Sequence, residues 1–592
     1  MRVQKLIESV EGLSLTERKA LAVMLGKKGI NLFGIAPIFK RDASQPLLLS
    51  YAQERLWFLW QLDPQGSAYT MSSVLRLQGA LDGDALQAAF DELVARHESL
   101  RTRFTEVDGQ AVQLVDAHAR ILVEQQTVVD PAGVAELVEA HGQQPFDLRQ
   151  GPLLRVKLLR VDDQQHVLSL VQHHIVSDGW SMRIMIDELI TLYRARVTGT
   201  PAVLAPLPVQ YADYALWQRS WMDAGERDRQ QAYWQRQLGG QQPVLELPTD
   251  FPRPQALSYR GDRVDFRLSM ALTQGLKALA RREGVTLYTL LLAAFQALLY
   301  RYSGQQDVRV GVPVAGRNRP EVERLIGFFV NTQVLRAQVD GSRPFTELLA
   351  QVRQATQQAQ QYQDLPFEQL VELLQPQRSM SHSPLFQVMH NHRGEDVDPA
   401  SVTRLPGLEV SNFEARQQTA QFDLTLETVE TPEGLGASLV FASDLFTRTT
   451  VERLGRHWQN LLHGLLADAS ARVDALPLFD ADDLQRLIDG NNATALAVPP
   501  LTVHQLFAAQ AVRTPDAPAL AFDDNLLSYA ALNRRANQLA HRLIALGVGP
   551  EVRVGLSVER GLDLVVGLLA ILKAGGLTFH WTRPTRRRAW TT

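Results

Sequence analysis

The reactive side chains of this chain crowd into one short stretch, His173-His174-Ile175-Val176-Ser177-Asp178-Gly179-Trp180-Ser181. An imidazole in a cleft can take the proton from an attacking amine or alcohol, and a positioned base accelerates such a step about 10²–10⁴-fold. Asp178 reads either as a second acid–base group or as a buried carboxylate paired with an arginine. Gly179 reads as a place where a Cβ would block a backbone shape or a close approach. Its N–H, near a helix start, is also placed to meet a developing oxyanion. A metal site on His173, His174 and Asp178 is disfavoured, because adjacent strand residues diverge and no further ligand cluster is visible.

The flanking sequence supplies a scaffold for these groups. Val167-Leu168-Ser169-Leu170-Val171 is an apolar run typical of a buried strand. After the stretch, Met182, Met185, Ile186, Leu189, Ile190 and Tyr193 recur at helical spacing, with Ser181 placed to cap the first turn. The geometry is strand end, sharp turn, helix start. Side chains alternate along a strand, so only one of the two histidines can face a given cleft.

Composition narrows the function classes. A chain of 592 residues needs three or four domains or lobes. Its formal net charge of -4 gives no bulk electrostatic case for nucleic acid. With no cysteine it has no disulfide, thiolate metal site or cysteine nucleophile, which fits a reducing compartment. The N-terminus lacks the apolar core of a signal peptide, and the greasiest stretch, Leu287 to Leu299, contains Gln296 and is too short to span a bilayer. The expectation is a cytoplasmic protein without membrane contact.

In chain order, residues 1–46 read as a helical lead-in and linker, with Ser14 and Glu17 forming a capping box. A first lobe covers 47–225. It includes a strand near Val74 to Leu77 and a helix from Asp84, with Gln87 completing its capping box. Trp217, Trp221 and Trp234 punctuate a helical crossing between lobes. A second lobe covers 226–467, with helices over Leu272 to Arg282 and Thr286 to Tyr302. It also holds strands near Val308 to Val312, Phe386 to Met389, Phe422 to Glu427 and Ser438 to Phe441. A linker at 468–500 precedes a further module from Leu501.

These residues carry a family resemblance. The chain closely resembles the condensation domain of nonribosomal peptide synthetases, followed by the first part of an adenylation domain. Ser50 to Leu59 is similar to the family's first motif, Arg96 to Phe104 to the second, and His173 to Ser181 to the HHxxxDG signature. Tyr211 to Trp217, Ile326 to Thr332, Gln363 to Glu368 and Arg378 to Leu385 resemble the fourth to seventh. HHxxxDG alone is moderately specific; all seven in family order are very specific. Tyr362 departs from the His or Asn that opens the sixth motif. Leu527 to Leu532 and Leu572 to Gly576 resemble the first two adenylation motifs, and the ATP-binding loop does not follow.

The resemblance implies an α/β fold of two chloramphenicol-acetyltransferase-like lobes in a V, plus a partial adenylation fragment over 501–576. It implies His174 as the imidazole in the channel, His173 turned into packing, and Arg101 as the partner of Asp178. Trp180 and Ser181 are expected beside the substrate, with Trp180, Trp57 and Phe329 as core or channel-wall aromatics. Asn331 either bonds an amide of a pantetheine arm or holds a turn. The implied reaction joins two thioesters carried on 4'-phosphopantetheine by upstream and downstream peptidyl carrier proteins, with no cofactor bound by the chain itself. Two alternatives stay open: a catalytically silent fragment that only docks carriers, and an HxxxD acyltransferase using an acyl-CoA donor.

The tail from Leu577 to Thr592 loses all periodicity and becomes Arg-rich. Back-translated with one added G after the Gly576 codon, it re-reads as AYVPLDPTYPAARLDD, which is similar to how adenylation domains continue. Residues 577–592 are therefore expected to be out-of-frame translation and poorly packed, and the module from Leu501 to lack most of its core.

Overall fold

The computed structural model describes residues 13–28, 32–33, 36–42, 45–375, 379–394, 403–413 and 419–580. It divides into two compact units, Met1–Asp483 and Leu484–Thr592.

The first unit opens with α1 (Leu15–Gly26), where Ser14 and Glu17 make the expected capping box. The following linker is clamped to the first lobe, because Arg41 bridges Glu98 at 2.8 Å and Asp213 at 2.9 Å. Next come α2 (Tyr51–Leu62), β1 (Thr70–Gly79), α3 (Gly83–Arg96), a β2–β3 hairpin (Thr102–Val107 and Gln110–Val115) and β4 (Val123–Thr127). Then follow α4 (Val134–Gln143), β5 (Leu154–Arg160), β6 (Gln165–His173) and α5 (Gly179–Thr198). The cap of α3 is Asp82, which accepts from the Ala85 N–H, so the expected Asp84–Gln87 box is absent. With Gly83 as the first helical residue, Asp84 falls inside the first turn, and Gln87 bonds Asp91 and the Ile121 carbonyl instead.

The crossing is a broken helix. α6 (Tyr211–Trp221) and α7 (Arg227–Leu238) flank a π-helical turn, Met222–Glu226, in which Gly225 adopts φ 110. Trp217 and Trp221 pack with Phe33 beneath the first lobe, and Trp234 enters the core of the second.

The second lobe runs through β7 (Gly261–Leu268), α8 (Met270–Arg282), α9 (Leu287–Ser303), β8 (Asp307–Val314), β9 (Asn331–Gln338), α10 (Phe345–Gln361) and α11 (Phe367–Leu374). It continues with β10 (Val388–Arg393), β11 (Thr403–Leu405), β12 (Leu408–Asn412), β13 (Leu424–Thr431), β14 (Gly434–Ala442) and α12 (Arg448–Ala467). Helix α9 is buried almost all round because it is the centre of this lobe's core. Among the described residues no single helix is long and apolar enough to cross a membrane.

Two six-stranded sheets organise the unit, in orders β11-β12-β1-β6-β5-β4 and β7-β14-β13-β10-β8-β9. The first order corrects the expected lobe boundary. Residues 403–412, read as second-lobe sequence, cross back, and β12 pairs antiparallel with β1 through Leu75 to Gly79. Strand β6 lies between β1 and β5 and is buried from His166 to His173, which explains why its run from Val167 to Val171 is apolar but for Ser169. Its last residue is His173, so the reactive turn leaves from the middle of the sheet.

Helix α13 (Ala481–Asn492) lies within the expected linker. The second unit holds α14 (Val503–Arg513), a β15–β16 hairpin (Pro518–Phe522 and Asn525–Ser528), α15 (Tyr529–Ala545), β17 (Arg553–Leu556), α16 (Leu562–Lys573) and β18 (Leu577–His580). Its buried clusters are small, centred on Leu532, Ala536, Leu569 and Ala570. Leu577 to His580, expected to be poorly packed, pair in parallel with β17, although Phe579 is 59% exposed. Backbone pairing asks only for β-compatible residues, which Leu-Thr-Phe-His supplies. Residues 581–592 lie outside the described residues.

Candidate active site

The β6 strand ends at His173, a short 3₁₀ turn covers His174–Val176, and α5 begins at Gly179. The cap of α5 is Asp178, whose Oδ1 accepts from the Ser181 N–H at 2.7 Å, in the role expected of Ser181. The correction is one of register: Asp178 holds the extended conformation a cap needs, and Ser181 already lies in the first turn.

The two histidines part as expected and take opposite tautomers. Nδ1 of His173 accepts from the Ile175 N–H at 3.1 Å, and the ring is buried edge-on to Phe146. Burial and the neighbouring His174 push its pKa down to about 3, so it stays neutral. His174 is only partly buried. Its Nδ1 lies 2.9 Å from the Ser177 carbonyl oxygen, which can only accept, so Nδ1 carries the proton. Nε2 then presents a lone pair, and no protein group among the described residues bonds it. Phe328 packs against the ring at 5.0 Å. Burial pushes the His174 pKa below its ordinary value; the Ser177 carbonyl and Asp178 oppose that, and the Arg55 cation reinforces it. The arrangement is a neutral, oriented base.

Asp178 is fully buried and saturated. Oδ1 receives Arg317 Nη2 at 3.2 Å, and Oδ2 receives the Phe329 N–H at 3.0 Å. The expected partner, Arg101, instead bonds the Asp116 carbonyl and stands 4.0 Å from Glu98. Arg317 also donates to the carbonyls of Val322 and Leu325, tying the loop after β8 to the start of α5. With both oxygens occupied and no solvent contact, Asp178 positions backbone rather than exchanging protons.

Ser181 is equally enclosed. Its Oγ donates to the Gly327 carbonyl and accepts from the Gly327 N–H and from Arg317. It is a crosslink between lobes, not a substrate contact. Trp180 is 40% exposed, with its indole N–H on the Glu323 carbonyl. Trp57 and Phe329 are buried as expected. Asn331 is saturated by its own chain: it donates to the Gln363 and Leu365 carbonyls and accepts from the Phe367 N–H, which fixes the start of α11. It holds a turn. A Cβ on Gly179 would meet nothing within 4 Å, so the expected steric need is absent.

Groups that the sequence placed in motifs but gave no role complete the site. Tyr211 donates its hydroxyl hydrogen to the Phe328 carbonyl at 2.6 Å, so the Ser50 hydroxyl must donate to Tyr211, at 2.8 Å. Gln53 donates to the Ile175 carbonyl at 3.1 Å. Residues of the first, third, fourth and fifth stretches noted in the sequence thus meet around one imidazole. A Cβ on Gly327 would fall onto the Tyr211 ring, so glycine is required there.

A strand end carrying an oriented imidazole is thus held where two α/β lobes are crosslinked. The family described as Condensation domain matches residues 43–488, and that described as AMP-binding enzyme matches 507–580. The chain belongs to the condensation-domain family, followed by a short AMP-binding segment. It is 42% identical over 587 residues to one of the subunits of linear gramicidin synthase from Brevibacillus parabrevis, covering 97% of this chain and 7% of that protein. Against tyrocidine synthase 3 of the same organism the identity is 38% over 92% of this chain and 8% of that protein. The chain thus spans less than a tenth of the length of either relative. Among solved structures, the X-domain from teicoplanin biosynthesis is 30% identical with a TM-score of 0.69, covering 75% of this chain and 100% of that one. A four-domain nonribosomal peptide synthetase bound to AMP and glycine is 25% identical with a TM-score of 0.78, covering 91% and 42%.

Proposed function

We propose that this chain forms an amide bond between a donor acyl or peptidyl thioester and the amine of an acceptor aminoacyl thioester. Each is carried on the 4'-phosphopantetheine arm of an upstream or downstream carrier protein. The observation that carries the reading is the free Nε2 of His174, held by the Nδ1–Ser177 bond at a turn the two lobes share. A free α-amine has a pKa near 8, so part of the acceptor is already neutral. Its nitrogen attacks the donor carbonyl, and Nε2 takes the amine proton as the C–N bond forms. The C–S bond then breaks, and the imidazolium returns the proton to the departing thiolate. Thiol and amide leave, and the neutral base is regenerated.

Holding two tethered thioesters in line contributes more than the base, up to roughly 7–11 kcal/mol for an ideal near-attack geometry. Gly179, with open space where its Cβ would be, leaves room for what passes His174. The absence of cysteine supports a reducing, cytoplasmic setting. Incubation with one loaded donor carrier and one loaded acceptor carrier tests the reading. Transfer of the donor to the acceptor carrier is expected; binding without transfer, or transfer from acyl-CoA to a free amine, would overturn it.

A further inference from the structure

Strand β9 lies at the edge of its sheet, and the turn between α10 and α11 packs on its first residue, Asn331. Asn331 holds the Gln363 and Leu365 carbonyls of that turn, and the crossing helix α7 holds the groups that alternate with them. Arg229 donates to the Gln361 carbonyl at 3.1 Å, and the Trp234 indole to the Tyr362 carbonyl at 2.9 Å. Tyr362, which departs from the family's sixth motif, lies flat on Tyr233 of the same helix, with ring centroids 4.0 Å apart. Gln230 is fully buried and uses its whole amide. Its carbonyl accepts from the Leu365 N–H at 2.8 Å; its two amide hydrogens go to Glu226 at 2.8 Å and Asp364 at 3.4 Å. The Leu365 N–H can only donate, which fixes the carbonyl end of the amide.

We propose that Gln230 is a positioning residue for the amide-forming reaction. It acts through this turn and Asn331 on Phe328, the ring that packs against His174. The inference rests on the function proposed above. Every link is a hydrogen bond or a ring contact. Phe328 stands three residues before Asn331, with its ring centroid 5.0 Å from that of His174. The first lobe and the crossing helix grip the near end of this segment: Ser181 holds Gly327, Tyr211 the Phe328 carbonyl, and Asp178 the Phe329 N–H. Asn331 is the grip at the far end, and Gln230 sets the turn that Asn331 reads. Gln230 also ties down Glu226, the last residue of the π-helical turn. The break in the crossing helix and the wall of the site therefore share one amide.

Gln230→Met keeps the length of the side chain and removes all three bonds. The test is a magnetic-resonance spectrum of the full chain labelled at histidine Cε1, with the His174 resonance assigned from its loss in His174→Gln. The Phe328 ring current contributes to that shift, and Phe328→Leu marks where the resonance goes without it. Gln230→Met is expected to move the His174 resonance part of the way to that position, with the other histidine resonances where they are in the parent. In carrier-to-carrier transfer, kcat should fall roughly 10- to 10²-fold, as for a small misplacement of a reacting group, with KM for each loaded carrier within about twofold of the parent. A fully buried amide touches neither carrier, so the loss belongs to kcat. Arg229, whose side chain is 37% exposed, keeps the test available if Gln230→Met folds poorly. Arg229→Gln frees the Gln361 carbonyl and should move the resonance the same way by less. A His174 resonance that stays in place in the folded variants, whether or not transfer falls, overturns the inference. If the resonance moves as expected but the parent transfers nothing, the reaction reading fails and the positioning of Phe328 stands. If the parent transfers and the resonance does not move, the inference alone fails.

Discussion

At the scale of the residue, the two histidines show how much alternation along a strand can decide. His173 spends its Nδ1 on the Ile175 N–H inside the core, while His174 turns its Nε2 outward. Replacing His174 by Ala is expected to lower transfer between loaded carriers about 10²–10⁴-fold with little change in thermal midpoint. Near-parent turnover would remove it as an essential group. Asp178 makes a different prediction. It and Arg317 are almost wholly enclosed, with side-chain exposures of 0% and 1%, so either truncation strands a buried charge. Asp178→Ala and Arg317→Ala should each cost about 3–5 kcal/mol, and the double variant much less than their sum. Strictly additive losses in chemical denaturation would rule out the coupling. Arg101→Ala, at the expected but wrong partner, should cost under about 1 kcal/mol. That Asp178 is a buried, paired carboxylate was legible from its setting in an apolar turn. Which arginine pairs with it was not, because Arg317 lies 139 residues away in a loop whose path only the folded chain defines.

At the scale of the element, the strand, turn and helix around the site were readable from periodicity, because β6 and α5 bury long regular faces. The caps were displaced by two and three residues, since Asp82 and Asp178 compete successfully with the expected Asp84 and Ser181. The strands β11 and β12 were missed for a stronger reason. They are short, and the sheet a strand joins is set by distant partners, here Leu75 to Gly79 of β1. The glycines separate what a loop needs from what a motif merely contains. Gly327→Ala would push on Tyr211, which links Ser50 to the Phe328 carbonyl beside His174. It should cost about 1–3 kcal/mol and reduce transfer. Gly179→Ala meets no protein atom and should leave stability within about 1 kcal/mol of the parent. If Gly179→Ala is the more destabilising of the two in the same denaturation assay, this account of both glycines is wrong.

At the scale of the whole molecule, the second unit carries only small buried clusters, and the AMP-binding match covers residues 507–580. The 592-residue polypeptide is expected to show no amino-acid-dependent ATP–pyrophosphate exchange, and detectable exchange would contradict this. His173 and His390 are both held neutral by burial, with pKa values near 3, against about 6.5 in an unfolded chain. Below about pH 6.5 the unfolded chain binds protons at these positions that the folded chain refuses. Each group therefore removes about 1.4 kcal/mol of stability per pH unit as pH falls through that window. Asp364 works in the other direction. Burial and the nearby Glu226 raise its pKa to about 6, so between roughly 4 and 6 the folded chain takes up a proton that the unfolded one does not. Two histidines outweigh one aspartate, so the denaturation midpoint should fall between pH 7 and 5. Asp364→Asn removes the opposing contribution and should make that fall steeper. A midpoint that is flat or rising on acidification, or a shallower slope in Asp364→Asn, would show that these three groups do not control the acid response.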